Sequence, residues 1–181
     1  QVLIDAGAAV DMVINNGNTA LMMACSNGHH ECAQASIDAG AAVDMVNNNG
    51  KTALMFACFQ GHQECALALI NAGAAVDRVD NDGRTALMWA CDSGHHECAQ
   101  ALIGARANLE VTSRDGQHAL MIACASPHPR LPPSAGQGKA RCALALLAAT
   151  APIREADFPD RAASLKFAGE RLQQIKVVLA S

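Results

Sequence analysis

The residues of this chain that could do chemistry are its eight cysteines and seven histidines. Six of the thiols come in pairs seven residues apart: Cys25/Cys32, Cys58/Cys65 and Cys91/Cys98. His29, His30, His62, His95 and His96 fall between them, so the string Cys-x3-His-His-x-Cys occurs twice, at 25–32 and 91–98. Thiolate and imidazole in this density would suit zinc, which takes four such ligands in a tetrahedron. Two features count against that chemistry. Gly28 or Gly94 turns the chain between the would-be ligands, and the middle copy carries Gln63 in place of the second His while keeping the rest. A set that recurs once per unit suits a scaffold more than a single site. Free Cys also behaves as a small hydrophobe. The pairs therefore read as reduced core thiols, with no metal and no cofactor, in a cytoplasmic or nuclear protein. Nucleophilic catalysis has still less support. There is no Gly-x-Ser-x-Gly elbow and no phosphate-cradling Gly loop, so no catalytic residue is assigned.

The elements that must position these residues are set by a longer repeat. Thr19-Ala20-Leu21-Met22, Thr52-Ala53-Leu54-Met55, Thr85-Ala86-Leu87-Met88 and His118-Ala119-Leu120-Met121 follow one another at intervals of 33 residues. Each comes two residues after an Asn-Gly or Asp-Gly pair, at 16–17, 49–50, 82–83 and 115–116. A fixed period of this size marks a stacked repeat, whose units bury a continuous core only against their neighbours. Within a unit, the Asn-Gly tip predicts a tight turn with both central residues at positive φ. The Thr caps a first helix, and Gly28, Gly61 and Gly94 end it. Glu31, Glu64 and Glu97 sit in the first turn of a second helix, where the dipole favours them. Gly40 and Gly73 close that helix in left-handed geometry. Arg106 stands at the equivalent place in the third unit, which predicts a strained or altered end.

The phrase Asp82-Gly83-Arg84-Thr85-Ala86-Leu87-Met88-Trp89-Ala90-Cys91, then Gly94-His95-His96-Glu97, resembles the ankyrin repeat. So do Gly40-Ala41-Ala42-Val43-Asp44 and Gly73-Ala74-Ala75-Val76-Asp77. That family's unit is a β-turn plus two helices with a T-P-L-H-x-A signature. The resemblance covers residues 1 to about 125. It implies an all-α fold with short β-turn fingers, a helix-turn-helix solenoid, and protein–protein interaction as the function. Ala replaces the family Pro and Met replaces the family His, whose hydrogen bonds brace the turn. A less rigid turn is expected from that change.

The array is expected to span 1–157, with a partial unit at 1–13, full units at about 14–46, 47–79 and 80–112, and an interrupted unit at 113–157. Cys124 and Cys142 are 18 apart, an excess of 11 residues over the other pairs. The excess contains Pro129, Pro132, Pro133, Gly136 and Gly138, which predicts a surface loop over about 127–140. Residues 158–181 read as a capping helix, with Leu165, Ala168, Leu172, Ile175 and Leu179 on one face. The chain opens at Gln1, within what reads as the second helix of a unit, so it is expected to be a piece of a longer array. It shows no secretory signal and no run of 18 or more apolar residues that would span a membrane.

Net charge is −4, but residues 1–125 carry 13 acidic and 5 basic side chains while 126–181 carry 4 and 8. An acidic array argues against nucleic acid and points to a basic or apolar protein partner, bound by a monomer. By the resemblance, recognition falls on the positions that vary between units: Met23, Phe56, Trp89 and Ile122; Phe59, Gln60 and Asp92 at the end of the first helix; and Lys51 and Arg84 at the turn. The large apolar members of this set also suit packing between units. Two other functions stay open: a regulatory or targeting segment of a longer enzyme, and a metal-responsive Cys/His module. The second has a direct test. Purified under reducing conditions, the chain is expected to fold with no bound metal and eight free thiols. Stoichiometric zinc, or unfolding on addition of a chelator, would reverse that reading.

Overall fold

The computed structural model describes residues 9–125 and 133–150. Among these residues eight helices form in pairs: α1 (Ala20–Asn27) with α2 (His30–Asp38), α3 (Ala53–Gln60) with α4 (Gln63–Asn71), α5 (Ala86–Ser93) with α6 (His96–Gly104), and α7 (Ala119–Cys124) with α8 (Pro133–Thr150). First helices pack on first helices in the row α1, α3, α5, α7, and second helices form a parallel row α2, α4, α6, α8. The fold is an all-α solenoid with turn fingers between the pairs. No described helix is long and apolar enough to cross a membrane.

Each first helix is short and apolar on most of its circumference. In α3, Ala53, Leu54, Met55, Ala57 and Cys58 are all buried. A helix of that kind is stable only when covered on several sides, and neighbouring units provide the cover. Its start is capped as expected: the backbone N–H groups of Met22, Met55 and Met88 donate to the hydroxyls of Thr19, Thr52 and Thr85 at 3.2–3.3 Å. Its end is a left-handed glycine, with φ of 73°, 80° and 78° at Gly28, Gly61 and Gly94. A Cβ on Gly28 would lie 2.6 Å from the His62 ring, and one on Gly61 would collide with the His95 ring. The recurring Gly-His pair is thus an inter-unit contact: the imidazole of one unit occupies the space over the glycine of the unit before it.

The finger tips differ from the turn expected. Gly17, Gly50, Gly83 and Gly116 have positive φ, but the Asn or Asp before each does not. The Gly50 N–H donates to the Asn47 carbonyl, and the Gly83 N–H to that of Asp80. This is a turn with Asn or Asp at its first position and Gly at its fourth, the type I pattern. The side chains at the first position select it. Asn47 Oδ1 accepts from the N–H groups of Asn49 and Lys51, and Asp80 Oδ1 from those of Asp82 and Arg84. Asn47 and Asp80 therefore supply turn bracing in a chain whose family His is replaced by the buried Met22, Met55 and Met88. Tips are tied to tips by backbone bonds from Asn48 to Asn16, Asn81 to Asn49 and Arg114 to Asp82, at 2.9–3.0 Å. Asp11, Asp44 and Asp77 add a second tie by accepting from the N–H groups of Ala42, Ala75 and Asn108 in the following unit.

Arg106 is the one non-glycine residue with positive φ among those described, at 61°, where Gly40 and Gly73 have 82° and 85°. It keeps the shape of the other two ends at the backbone cost that a Cβ carries there. The loop expected over 127–140 is corrected in its second half. Helix α8 begins at Pro133, a residue tolerated in a first helical turn, and runs on through Cys142. The extra residues lengthen the second helix of unit four at its start. They bring α8 against α5, one unit back, with Gly138 pressed on the backbone of Gly94. The expected partial unit before residue 9, the rest of the insertion at 126–132 and the capping helix at 158–181 lie outside the described residues.

Ser36 occupies a place in α2 where the other second helices have Leu69, Leu102 and Leu146, all buried. It is itself buried, and its hydroxyl donates back to the Cys32 carbonyl at 2.8 Å, the local bond open to a helical Ser. The missing methyl groups make it a packing defect. Leu-to-small changes at such sites cost roughly 2–5 kcal/mol. Ser36→Leu is expected to raise stability in a denaturant melt by less than that range, since structure generally relaxes in part around a small side chain. A decrease would show that the site cannot accept the volume.

Candidate partner-binding surface

The thiols and imidazoles of the repeat do not converge on one point. Cys25, Cys58, Cys65, Cys91, Cys98, Cys124 and Cys142 are buried, whereas Cys32, expected in the core, is exposed. Six of the buried ones pair across units. Cys25 donates to Cys65, Cys58 to Cys98 and Cys91 to Cys142, always a first-helix thiol to a second-helix sulfur of the next unit. Burial is the main cause that pushes the Cys25 thiol up; for Cys58 and Cys91 the bond to the partner sulfur leads and burial adds to it. Cys98, the acceptor, is drawn down by the bond from Cys58. The last pair spans the insertion and keeps the pattern, so α8 is in register as a second helix. His95 is lowered by burial, with a smaller opposing effect from Glu97, and it donates to the Phe59 carbonyl. Among the described residues no group of three or more His, Cys, Asp or Glu is placed to hold a metal ion.

Side chains converge instead on Trp89. It projects from α5 with its indole N–H donating to Asp80 Oδ2 at 3.0 Å. The Lys51 ammonium lies 3.8 Å from the ring centroid and the Arg84 guanidinium carbon 4.8 Å from it. Phe59, from the end of α3, meets the ring edge-on at 5.3 Å and 86°. Its own ring lies 5.7 Å from the Lys51 ammonium. Edge-to-face rings and cations over an indole are attractive geometries, each worth about 0.5–1.5 kcal/mol when partly exposed. Two fingers and two first helices are therefore joined at one ring.

A carboxylate closes the cluster on its far side. Asp92 Oδ2 pairs with Arg84 Nη1 at 3.1 Å, and Asp92 Oδ1 with Lys139 Nζ at 3.1 Å. The Lys139 side chain is only 4% exposed. It comes from α8, so the lengthened helix reaches the surface of unit three through this ion pair.

The positions proposed from sequence thus divide. Lys51, Phe59, Arg84, Trp89 and Asp92 come together. Gln60 is exposed beside Phe59 in the chain, and Phe59 is 41% exposed. Phe56 is half-buried against the core. Met23 is exposed one unit away, its thioether 3.7 Å from Asn18 Nδ2. Ile122 is a correction: at 2% exposure it fills space in the stack and presents no surface. Two members escaped the sequence reading. Asp80 was legible, being the turn-starting residue equivalent to Asn47. Lys139 was not, because its role depends on a helix read as a loop.

Asp92→Ala is expected to destabilise the chain by about 2–4 kcal/mol, because it strands the buried Lys139 charge. Arg84→Ala, at the wetter end of the same network, is expected to cost about 1 kcal/mol or less. Equal losses in denaturant melts would show that Lys139 finds another partner or water.

A family model described as ankyrin repeats, in three copies, matches residues 1–80 and 69–131. None of the curated proteins is similar enough to match the chain. The paired helices, the finger tips tied at one-unit intervals and a match over more than half the sequence lead to the same conclusion, that this chain belongs to the ankyrin repeat family.

Proposed function

We propose that this chain is a protein-interaction module that binds its partner on the surface of units two and three, centred on Phe59 and Trp89 and rimmed by Lys51, Arg84, Gln60 and Asp92. Ankyrin repeats generally serve as protein–protein interaction modules, and solenoids bind through the extended surfaces that stacking creates. The observation that carries the placement is Phe59. A core-row helix ends in a large ring left 41% exposed, set edge-on against a Trp that two cations flank. Aromatic residues at the centre of a polar rim are the composition of binding hot spots. Scaffold or adaptor is the role this suits. A reducing compartment, cytoplasmic or nuclear, fits seven buried thiols.

Phe59→Ala is expected to weaken partner binding by about 1–3 kcal/mol with little change in stability. Trp89→Ala is expected to lower both, since the indole also ties Asp80, Lys51 and Arg84 together. Calorimetric titration and denaturant melts on the same preparations separate the two effects. A Phe59→Ala protein that is destabilised but binds as before would mean that the cluster is structural and the surface lies elsewhere.

A further inference from the structure

We propose that the Trp89 surface receives a carboxylate of the partner, carried beside an apolar side chain, and that the Lys51 ammonium is its anchor. This rests on the reading of that surface as partner-binding and adds the chemistry of what binds there. The acidic balance of residues 1–125 suggests the opposite, a basic ligand. The local arrangement overrides the average. Both oxygens of Asp92 are taken, one by Arg84 and one by Lys139. Asp80 is 5% exposed, with one oxygen on two backbone N–H groups and the other on the indole of Trp89. The two carboxylates that bond to the cluster are therefore committed within the molecule.

The cations are not balanced in the same way. Three of them, Lys51, Arg84 and Lys139, meet two carboxylates. Lys139, on α8, is buried against Asp92 and Arg84 is paired with it, so the charge left to the surface is that of Lys51. Among the described residues its ammonium makes no ion pair; it rests over Trp89 and near Phe59. An aromatic face attracts the charge but accepts none of the three N–H donors as a lone pair would. The indole thus holds the ammonium in place without using up its three N–H donors. A carboxylate arriving there gains charge-assisted hydrogen bonds without the full cost of ordering a free lysine. The exposed edge of Phe59 lies next to it and suits an aliphatic or aromatic neighbour. A basic side chain would instead meet Lys51 and Arg84 together, a like-charge contact that interfaces select against. A polyanion such as nucleic acid meets the net negative charge of the whole array, which a single carboxylate close to Lys51 does not.

The experiment selects peptides from a random displayed library on the full chain, then measures the affinity of the enriched synthetic peptides for three variants. Enriched sequences are expected to carry Asp or Glu beside an apolar residue. Lys51→Glu is expected to lower their affinity about tenfold or more, Lys51→Arg to stay within about threefold, and Phe59→Ala to lower it about tenfold. Added salt should weaken binding to the native chain and leave Lys51→Glu nearly unmoved. Peptides without acidic residues, or binding lost in Phe59→Ala yet unchanged in Lys51→Glu, would overturn the carboxylate inference and leave the surface standing. Peptides indifferent to both substitutions, or no enrichment over a blank support, would overturn the surface reading and the inference with it.

Discussion

Leu21 and Met22, Leu54 and Met55, Leu87 and Met88 are buried where helices of neighbouring units pack on their own, and every other feature depends on that mutual cover. An eight-residue helix is far below the length that is stable alone in water. Its Thr cap and glycine stop shape it, but they do not hold it. What holds it is the apolar contact between rows, together with ties that act only across units: the tip-to-tip backbone bonds, the Asp carboxylates on the following unit's N–H groups, the imidazoles over the glycines and the thiol pairs. Each tie repeats at the period of the sequence, so a residue that looks like part of a motif inside one unit is often half of a contact with the next.

That explains what could be read from the sequence. Caps, stops and periodic apolar positions act within a few residues, and the helices fall where Thr19, Thr52, Thr85 and the glycines at 28, 61 and 94 place them. The cysteines and histidines were legible as scaffold from their recurrence, though not the partner each one has. The errors arise where a residue answers to a neighbour. Asn49 and Asp82 precede glycines and invite a mirror-image turn, but Asn47 and Asp80, two residues earlier, bond the backbone and impose another. Ile122 stands in register with Trp89, yet one is covered and the other partly open, a difference that register alone does not carry.

The insertion gives the sharpest case. Proline and glycine content argued for a loop over its whole length, and composition has no means of registering that Gly138 is needed where α8 meets the backbone of Gly94. Lys139, one residue on, is then carried to the only kind of place where a lysine can be buried, against a carboxylate. Net charge misleads in a similar way. It counts Asp80 and Asp92 as surface acids, whereas one is sealed in a turn and the other bridges two cations. Of the cluster at Trp89, the rings and the flanking cations could be nominated from the variability between units; the state of its charges could not.

The ties between units are nearly the same at every junction, while the Trp89 cluster exists at one. Lys51 and Phe59 belong to unit two and Arg84, Trp89 and Asp92 to unit three. A further unit of the same kind placed between them would find its tips, aspartates, imidazole and thiols matched on both sides, and the rod would simply grow longer. Lys51 and Phe59 would then stand one storey away from the indole. The architecture tolerates any order of its storeys, but the recognition surface is written across one particular joint. Lineages that gain or lose repeats by duplication can keep the fold at every step and still exchange one binding specificity for another in a single event.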